Sequence, residues 1–264
     1  MNKTGEEPIL SLPERHNRIL ALLQQFGSIS VAQLAERFKV SEVTIRKDLS
    51  YLEQQKKLYR THGSAILISP YISDRHVNEK EKRNVAEKRA IGAFAASLIA
   101  QDDSIIIASG TTVTFLAREI NPAGHLTAIT ASVPVTQILS QCPDVDVIQL
   151  GGITRSSSVS VVGPFAEQML RSFNCSKLFI GVDGIDTEFG LTTTNMLEAS
   201  LNGAMIDAAQ KVIVLADSSK FGRRGFSKIC DLESVDRIIT DSGVQSAYLD
   251  RLRERGIEVT VVDV

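Results

Sequence analysis

The chain has 264 residues, 43% of them hydrophobic and 23% charged, with a formal net charge of −2 at pH 7. That is ordinary for a soluble globular protein with room for one large domain, or for a small one and a medium one. No apolar run approaches the roughly 18 residues of a membrane span, the polar start MNKTGEEPIL lacks the apolar core of a secretory signal, and Cys142, Cys175 and Cys230 show no metal-ligand spacing, so the expectations are a reducing cytoplasm, no membrane association, and no metal or other cofactor.

Charge is unevenly spread. Residues 1–65 hold ten Lys and Arg against seven Asp and Glu, a net of +3, leaving −5 for the remainder. Three helix starts follow one another in this basic part. Ser11 with Glu14, and Pro13 in the first turn, opens a helix whose Ile19, Leu22, Leu23 and Phe26 share a face before Gly27. Ser30 with Gln33 caps a second, with Ala32, Leu34, Ala35 and Phe38 expected inside. After the short turn Lys39-Val40, Ser41 caps a third, in which Ile45, Leu49 and Leu52 point inward.

Two short helices joined so tightly predict a helix-turn-helix. Its third helix turns Glu42, Val43, Thr44, Arg46 and Lys47 outward, where a major groove is read. Val43 and Thr44 suit a thymine methyl, while Arg46 and Lys47 suit guanine edges or phosphates. The helix starts at Ser30 and Ser41 present amides suited to backbone phosphates. The stretch KKLYRTHGSAILI predicts two strands around Gly63, a wing carrying Arg60 and His62. The expected partner is double-stranded operator DNA. A bare three-helix bundle with a solvated third helix is the alternative.

The run Val40-Ser41-Glu42-Val43-Thr44-Ile45-Arg46-Lys47-Asp48-Leu49 resembles the winged helix of the DeoR family of bacterial transcriptional regulators. In that family a Val-Ser, two variable residues, Thr-Ile-Arg, a basic residue and Asp-Leu follow in this order. The wing departs from the family's usual Arg-x-His-Gly-Gly-Ala at Ser64, and the Gly that commonly precedes the first wing strand is absent from QQKKL.

Residues 69–84, SPYISDRHVNEKEKRN, break periodicity and mix charges, as a connector or an exposed helix does. From Val85 onward short apolar runs (SIIIA, LTAIT, DVIQL, KLFIG, KVIVLA, DRIIT, EVTVVD) alternate with helical segments. Such alternation predicts a mostly parallel sheet covered on both faces, with ligands beyond the carboxyl ends of its strands. The expected organisation is a winged helix-turn-helix over 1–68, a connector over 69–84 and an α/β sensor domain over 85–264.

The loops at those strand ends hold Ser109-Gly110-Thr111-Thr112, then Thr130 and Ser132, then Gly151-Gly152, then Asp183-Gly184, and Asp217 to Lys220. Hydroxyls, helix N-terminal amides and close backbone approach at glycine are what phosphate oxygens require. Each is also an ordinary turn or cap, and no Walker lysine or GxGxxG is present.

This half resembles the DeoR sensor domain, which is related to ribose-5-phosphate isomerase. The shared elements are Gly110–Thr112, Gly151–Gly152, Asp183–Ile185, Glu198–Ala199 with Ala204–Met205, and Asp217–Lys220. The resemblance implies a phosphorylated sugar or related metabolite as effector. Ala108 and Ala131 stand where the family often carries Asp and Asn. The isomerase motif Asp-Gly-Ala-Asp-Glu corresponds to Asp183-Gly184-Ile185-Asp186-Thr187, without the Glu, and the loop EFGLTTT has no lysine. General acid–base chemistry needs a complete positioned set, so the expectation is binding without turnover. A sugar-phosphate isomerase with a DNA-binding appendage, and a module that binds only protein, are the competing classes. Because one short recognition helix discriminates poorly, a homo-oligomer, dimer or tetramer, is expected.

Overall fold

A computed structural model describes residues 11–26, 28–55, 57–61, 64–67 and 76–264. The chain divides into two compact units, Met1–Ile72 and Ser73–Val264.

The first unit contains helices α1 (Leu12–Phe26), α2 (Val31–Phe38) and α3 (Glu42–Gln54) and strands β1 (Ser28–Ser30), β2 (Leu58–Thr61) and β3 (Ser64–Leu67). Antiparallel β2 and β3 are the backbone of the expected wing, and β1 adds a third strand on the far side of β3. Ser30 closes a full capping box with Gln33 on α2. Lys39 ends that helix in the left-handed region at φ 52, which turns the chain within two residues so that Ser41 can cap α3 through the Thr44 amide. Ile19, Leu23, Leu34, Ile45, Leu49 and Leu52 form the core, with Val40 packed against it. One expected core position is wrong. Ala32 is exposed and Val31 is buried in its place, because the helix starts at Val31 and the inward face therefore runs 31, 34, 35, 38.

The second unit begins earlier than the change of pattern at Val85. It holds α4 (Val77–Glu81) and α5 (Val85–Ala96), so the second half of the expected connector is folded structure here. There follow β4 (Ser104–Ile107), α6 (Thr111–Glu119), β5 (Leu126–Thr130), α7 (Val133–Leu139) and β6 (Val145–Gln149). Next come the hairpin β7 (Ile153–Arg155) and β8 (Ser160–Val162), α8 (Pro164–Leu170) and β9 (Lys177–Gly181). The chain continues through β10 (Gly184–Asp186), β11 (Gly190–Thr193), α9 (Met196–Asp207), β12 (Val212–Leu215) and β13 (Ser227–Cys230). It closes with β14 (Arg237–Asp241), α10 (Ser246–Glu254) and β15 (Glu258–Val262).

Seven strands form one sheet in the order β15-β14-β12-β9-β4-β5-β6, and every pair is parallel. All seven coincide with the apolar runs of the sequence. Two apolar layers sandwich the sheet: Ile106, Ile129, Leu178, Ile180 and Val214 face one side, and Ile105, Ile107, Ala128, Phe179 and Ile213 the other. The β7–β8 hairpin and the antiparallel sheet β10-β11-β13 stand outside it. Neither was visible in the apolar pattern, since their strands are short and polar. Among the described residues no helix is long and apolar enough to cross a membrane.

Candidate functional site

Two regions carry the chemistry, one in each unit. In the first, the α3 surface is built as expected. Ser41, Glu42, Val43, Arg46 and Lys47 are exposed and Thr44 is half-buried. Val43, Arg46 and Lys47, with Ser50, Tyr51 and Gln54, line a shallow hollow of about 360 Å³. Arg46 is held at 2.6 Å from Glu42 one turn earlier, yet its side chain keeps 54% exposure, so solvent screens this pair and it is weakly held. Ser30 and Ser41 hydroxyls accept from the Gln33 and Thr44 amides. The side chain of Arg60 and all of His62 lie outside the described residues.

Beneath this face sits a feature that the helical pattern did not reveal. Asp48 is buried and takes two hydrogen bonds from the Arg15 guanidinium, at 2.6 and 3.0 Å, with His16 Nε2 at 3.1 Å. His16 stacks on Tyr51 at 5.1 Å between ring centroids. A charged residue among outward charges in the sequence is thus the clamp between α1 and α3. The bidentate geometry fixes the angle at which α3 presents Arg46 and Lys47.

In the second unit the chain runs from β4 outward to β5 and β6, then crosses to β9 and proceeds the other way through β12, β14 and β15. The topological switch point therefore lies between β4 and β9, and in open α/β sheets the ligand crevice lies at this point, beyond the carboxyl ends of the strands. Ser109 and Gly110 follow β4; Val182 and Asp183 follow β9. Gly110 is the N-cap of α6 with φ 137, a conformation other residues rarely adopt, and a β-carbon there would meet no atom within 4 Å. The α6 N-terminus consequently faces open space with its first amides outside the intrahelical bonding pattern. Thr111 and Thr112 are buried in its first turn.

Asp183 is buried among charged neighbours. Lys80 Nζ stands 2.9 Å and Lys220 Nζ 3.9 Å from its carboxylate, and the Thr193 hydroxyl donates at 3.3 Å. Burial by itself pushes this carboxyl up; the charges of Lys80 and Lys220, with the hydrogen bonds from Lys80 and Thr193, outweigh it and hold it below the usual range. Nearby, Glu198 receives Arg155 Nη1 at 2.5 Å and the Ser109 hydroxyl at 3.4 Å. Burial, and after it the Asp183 charge, pushes the Glu198 carboxyl up despite Arg155. Behind them Asp217 caps a short 3-10 turn through the Ser219 amide and accepts from Asn84 Nδ2 at 2.9 Å. Lys88, also buried, donates to the Lys80 and Arg83 carbonyls at 2.5 and 2.6 Å; burial drives it down to about 8 against the pull of Asp217.

Of the expected effector residues, Ser109 donates to Glu198 and Lys220 faces Asp183, while Gly110, Thr111 and Thr112 follow Ser109 into the start of α6. Thr130 and Ser132 end β5 beside β4 but are engaged: the Thr130 hydroxyl donates to the Ile107 carbonyl and accepts from the Ser132 amide, and Ser132 caps α7. Three glycines are placed differently. Gly151 is exposed and its amide donates to Met169 Sδ. A β-carbon on Gly152 would stand 2.6 Å from the Val162 carbonyl oxygen, and one on Gly184 would overlap that of Arg223. Those two glycines serve chain packing, because neighbouring backbone fills the space where a ligand would approach.

The expectation missed Lys80, Asn84, Arg155 and the role of Glu198. Lys80 and Asn84 looked like connector charge, and Arg155 sits on a hairpin with no periodic signal. The second isomerase-type acid, Asp186, is bound by Arg224 at 2.8 and 3.0 Å and by the amides of Glu188 and Phe189. It holds the β10–β11 turn and forms no acid–base pair with Asp183.

Comparison with known proteins agrees with both halves. Residues 15–71 match the DeoR-like helix-turn-helix domain, and residues 83–242 match the DeoR C terminal sensor domain. The uncharacterized HTH-type transcriptional regulator YulB of Bacillus subtilis is 39% identical over 249 residues, which cover 94% of this chain and 96% of that protein. A putative aga operon transcriptional repressor of Escherichia coli O157:H7 is 37% identical over 262 residues, 98% and 97% of the two chains. The lactose phosphotransferase system repressor of Streptococcus mutans is 36% identical over 232 residues, 86% and 91%. The chain belongs to the DeoR family: it is a transcriptional regulator that joins a DNA-binding winged helix-turn-helix to an α/β sensor domain.

Proposed function

We propose that this regulator represses genes of carbohydrate metabolism in the cytoplasm, and that a phosphorylated sugar or a related metabolite controls it through the β4–β9 crevice. The observation that carries the reading is the open N-terminus of α6 at Gly110, facing a crevice lined by Lys80, Lys220 and Arg155. Amides and cations there answer phosphate oxygens, while the Asp183 and Glu198 carboxylates answer sugar hydroxyls. The names of the aga and lactose-system relatives point toward sugar genes. The repressor acts as a dimer or tetramer, since paired half-sites supply the discrimination that one α3 lacks.

Two measurements test it. In a mobility-shift assay with the promoter of the neighbouring operon, Arg46→Ala lowers affinity by about tenfold, as loss of one base contact of ~1–3 kcal/mol does. Undiminished, equally selective binding overturns the groove assignment. A thermal-shift panel of phosphorylated sugars identifies the effector, a hundredfold excess over Kd stabilising the sensor unit by ~2.7 kcal/mol. A sensor domain indifferent to the whole panel overturns the effector class.

A further inference from the structure

Between the apolar pattern that starts at Val85 and the DNA-binding unit lies the segment 76–84, and the structure fastens it to the sensor domain at several points. The Val77 amide donates to the Ser157 carbonyl at 2.6 Å. Lys80 pairs with Asp183, Glu81 receives Arg118 at 2.6 Å, and Asn84 reaches Asp217. Lys88 then closes the C-terminal end of α4 through the carbonyls of Lys80 and Arg83. Asn84 itself is held in the left-handed region at φ 50, so the segment enters α5 through a bend that these contacts stabilise.

A five-residue helix cannot hold itself together in water, so the order of α4 depends on these attachments. The central one ends on Asp183, a buried acid that Lys220 and the Thr193 hydroxyl also face. Around that point Lys80, Lys88, Lys220 and Arg155 oppose Asp183, Glu198 and Asp217, four cations against three carboxylates. An anion placed there balances the cluster. Lys80 has 28% of its side chain exposed and can face it without leaving α4.

We propose that segment 76–84 is an anion-fastened strap: an anionic group in the crevice takes Lys80 as a ligand and tightens α4 onto the sensor domain. Lys80 thereby becomes a residue that binds the effector and belongs to the connector at once. This rests on the crevice being the effector site. Its consequence is that occupancy is transmitted by covalent continuity. When the strap is fastened, the chain leading to the DNA-binding unit leaves the sensor domain at a defined place; when it is loose, that exit wanders and paired winged helices lose their spacing.

The test is amide hydrogen exchange on the full chain, with and without millimolar inorganic phosphate, a neutral free sugar serving as the control. Exchange of residues 77–84 slows about tenfold with phosphate and is unchanged by the neutral sugar. Lys80→Gln abolishes the phosphate effect on this segment, while the first turn of α6 still gains protection. Asp183→Asn loosens 77–84 in the absence of phosphate. If phosphate protects the first turn of α6 but leaves 77–84 unchanged, or protects it equally in Lys80→Gln, the strap is overturned and the effector crevice stands. If phosphate protects neither α6 nor 77–84, the crevice reading fails, and the strap with it.

Discussion

Removing the Asp48 carboxylate by Asp48→Ala leaves the Arg15 guanidinium buried, at 8% exposure, with neither of its two hydrogen bonds to that acid and with His16 deprived of the same partner. Breaking one side of a buried pair costs ~3–5 kcal/mol. A unit of 72 residues, at roughly 0.05–0.15 kcal/mol per residue, has about 4–11 kcal/mol in total. The variant therefore loses a large share of its stability, with Tm lowered by about 12 °C or more. The assay is hydrogen exchange on the full chain: amides of α1 to α3 lose most of their protection and those of β4, β9 and β12 keep theirs, while operator binding in a mobility shift falls in parallel. The double variant Arg15→Met with Asp48→Leu separates packing from charge, because well-packed apolar replacement of an ion pair is often neutral; it recovers most of the protection. An Asp48→Ala protein with wild-type exchange in α1 to α3 and operator affinity within about twofold refutes the idea that this pair clamps α3.

Other consequences are simpler to check. Gly184→Ala forces a β-carbon onto the Arg223 carbonyl oxygen and the Thr192 hydroxyl, which lowers sensor-domain stability by ~1–3 kcal/mol in a urea titration. Because the Asp183 carboxyl is depressed in the folded state, its contribution is complete above its unfolded pKa of about 4 and is lost as pH falls through the lower folded value. Asp183→Asn accordingly flattens the acid limb of the stability curve below pH 4. Lys88 runs the other way: lowered to about 8 when folded, it favours the folded state above its unfolded pKa near 10.5, and that advantage is lost as pH falls through about 8. The urea midpoint of the sensor unit gains from this group between about pH 8 and pH 10.5, and Lys88→Met removes that part of the slope.

Periodicity was a good guide wherever a residue's neighbours along the chain determine its place. Ile45, Leu49 and Leu52 are buried because a helix puts positions three and four apart on one face. Seven apolar runs became seven parallel strands because a sheet covered on both sides buries every residue of a strand. The Ser30 capping box and the Ser41 cap needed only residues three apart. Gly110 was legible for the same reason, as a strand end meeting a helix start. Asp48 was not, since its partners Arg15 and His16 are more than thirty residues away. Within its own helix it is one more charge beside Arg46 and Lys47.

The sequence by itself determined two domains, the outward surface of α3 and the ends of the parallel strands, because caps, turns and hydrophobic period are local properties of the chain. Only the tertiary structure decided which charges meet in the crevice. Lys80, Arg155, Asp183, Glu198 and Lys220 come from α4, a hairpin, the end of β9, the start of α9 and the turn after β12. Nothing in their spacing brings them together; the crossing of the chain between β4 and β9 does. That crossing gathers distant loops around one cluster of charges, and it joins to them the stretch of mixed charge at 76–84, which along the chain reads only as a connector.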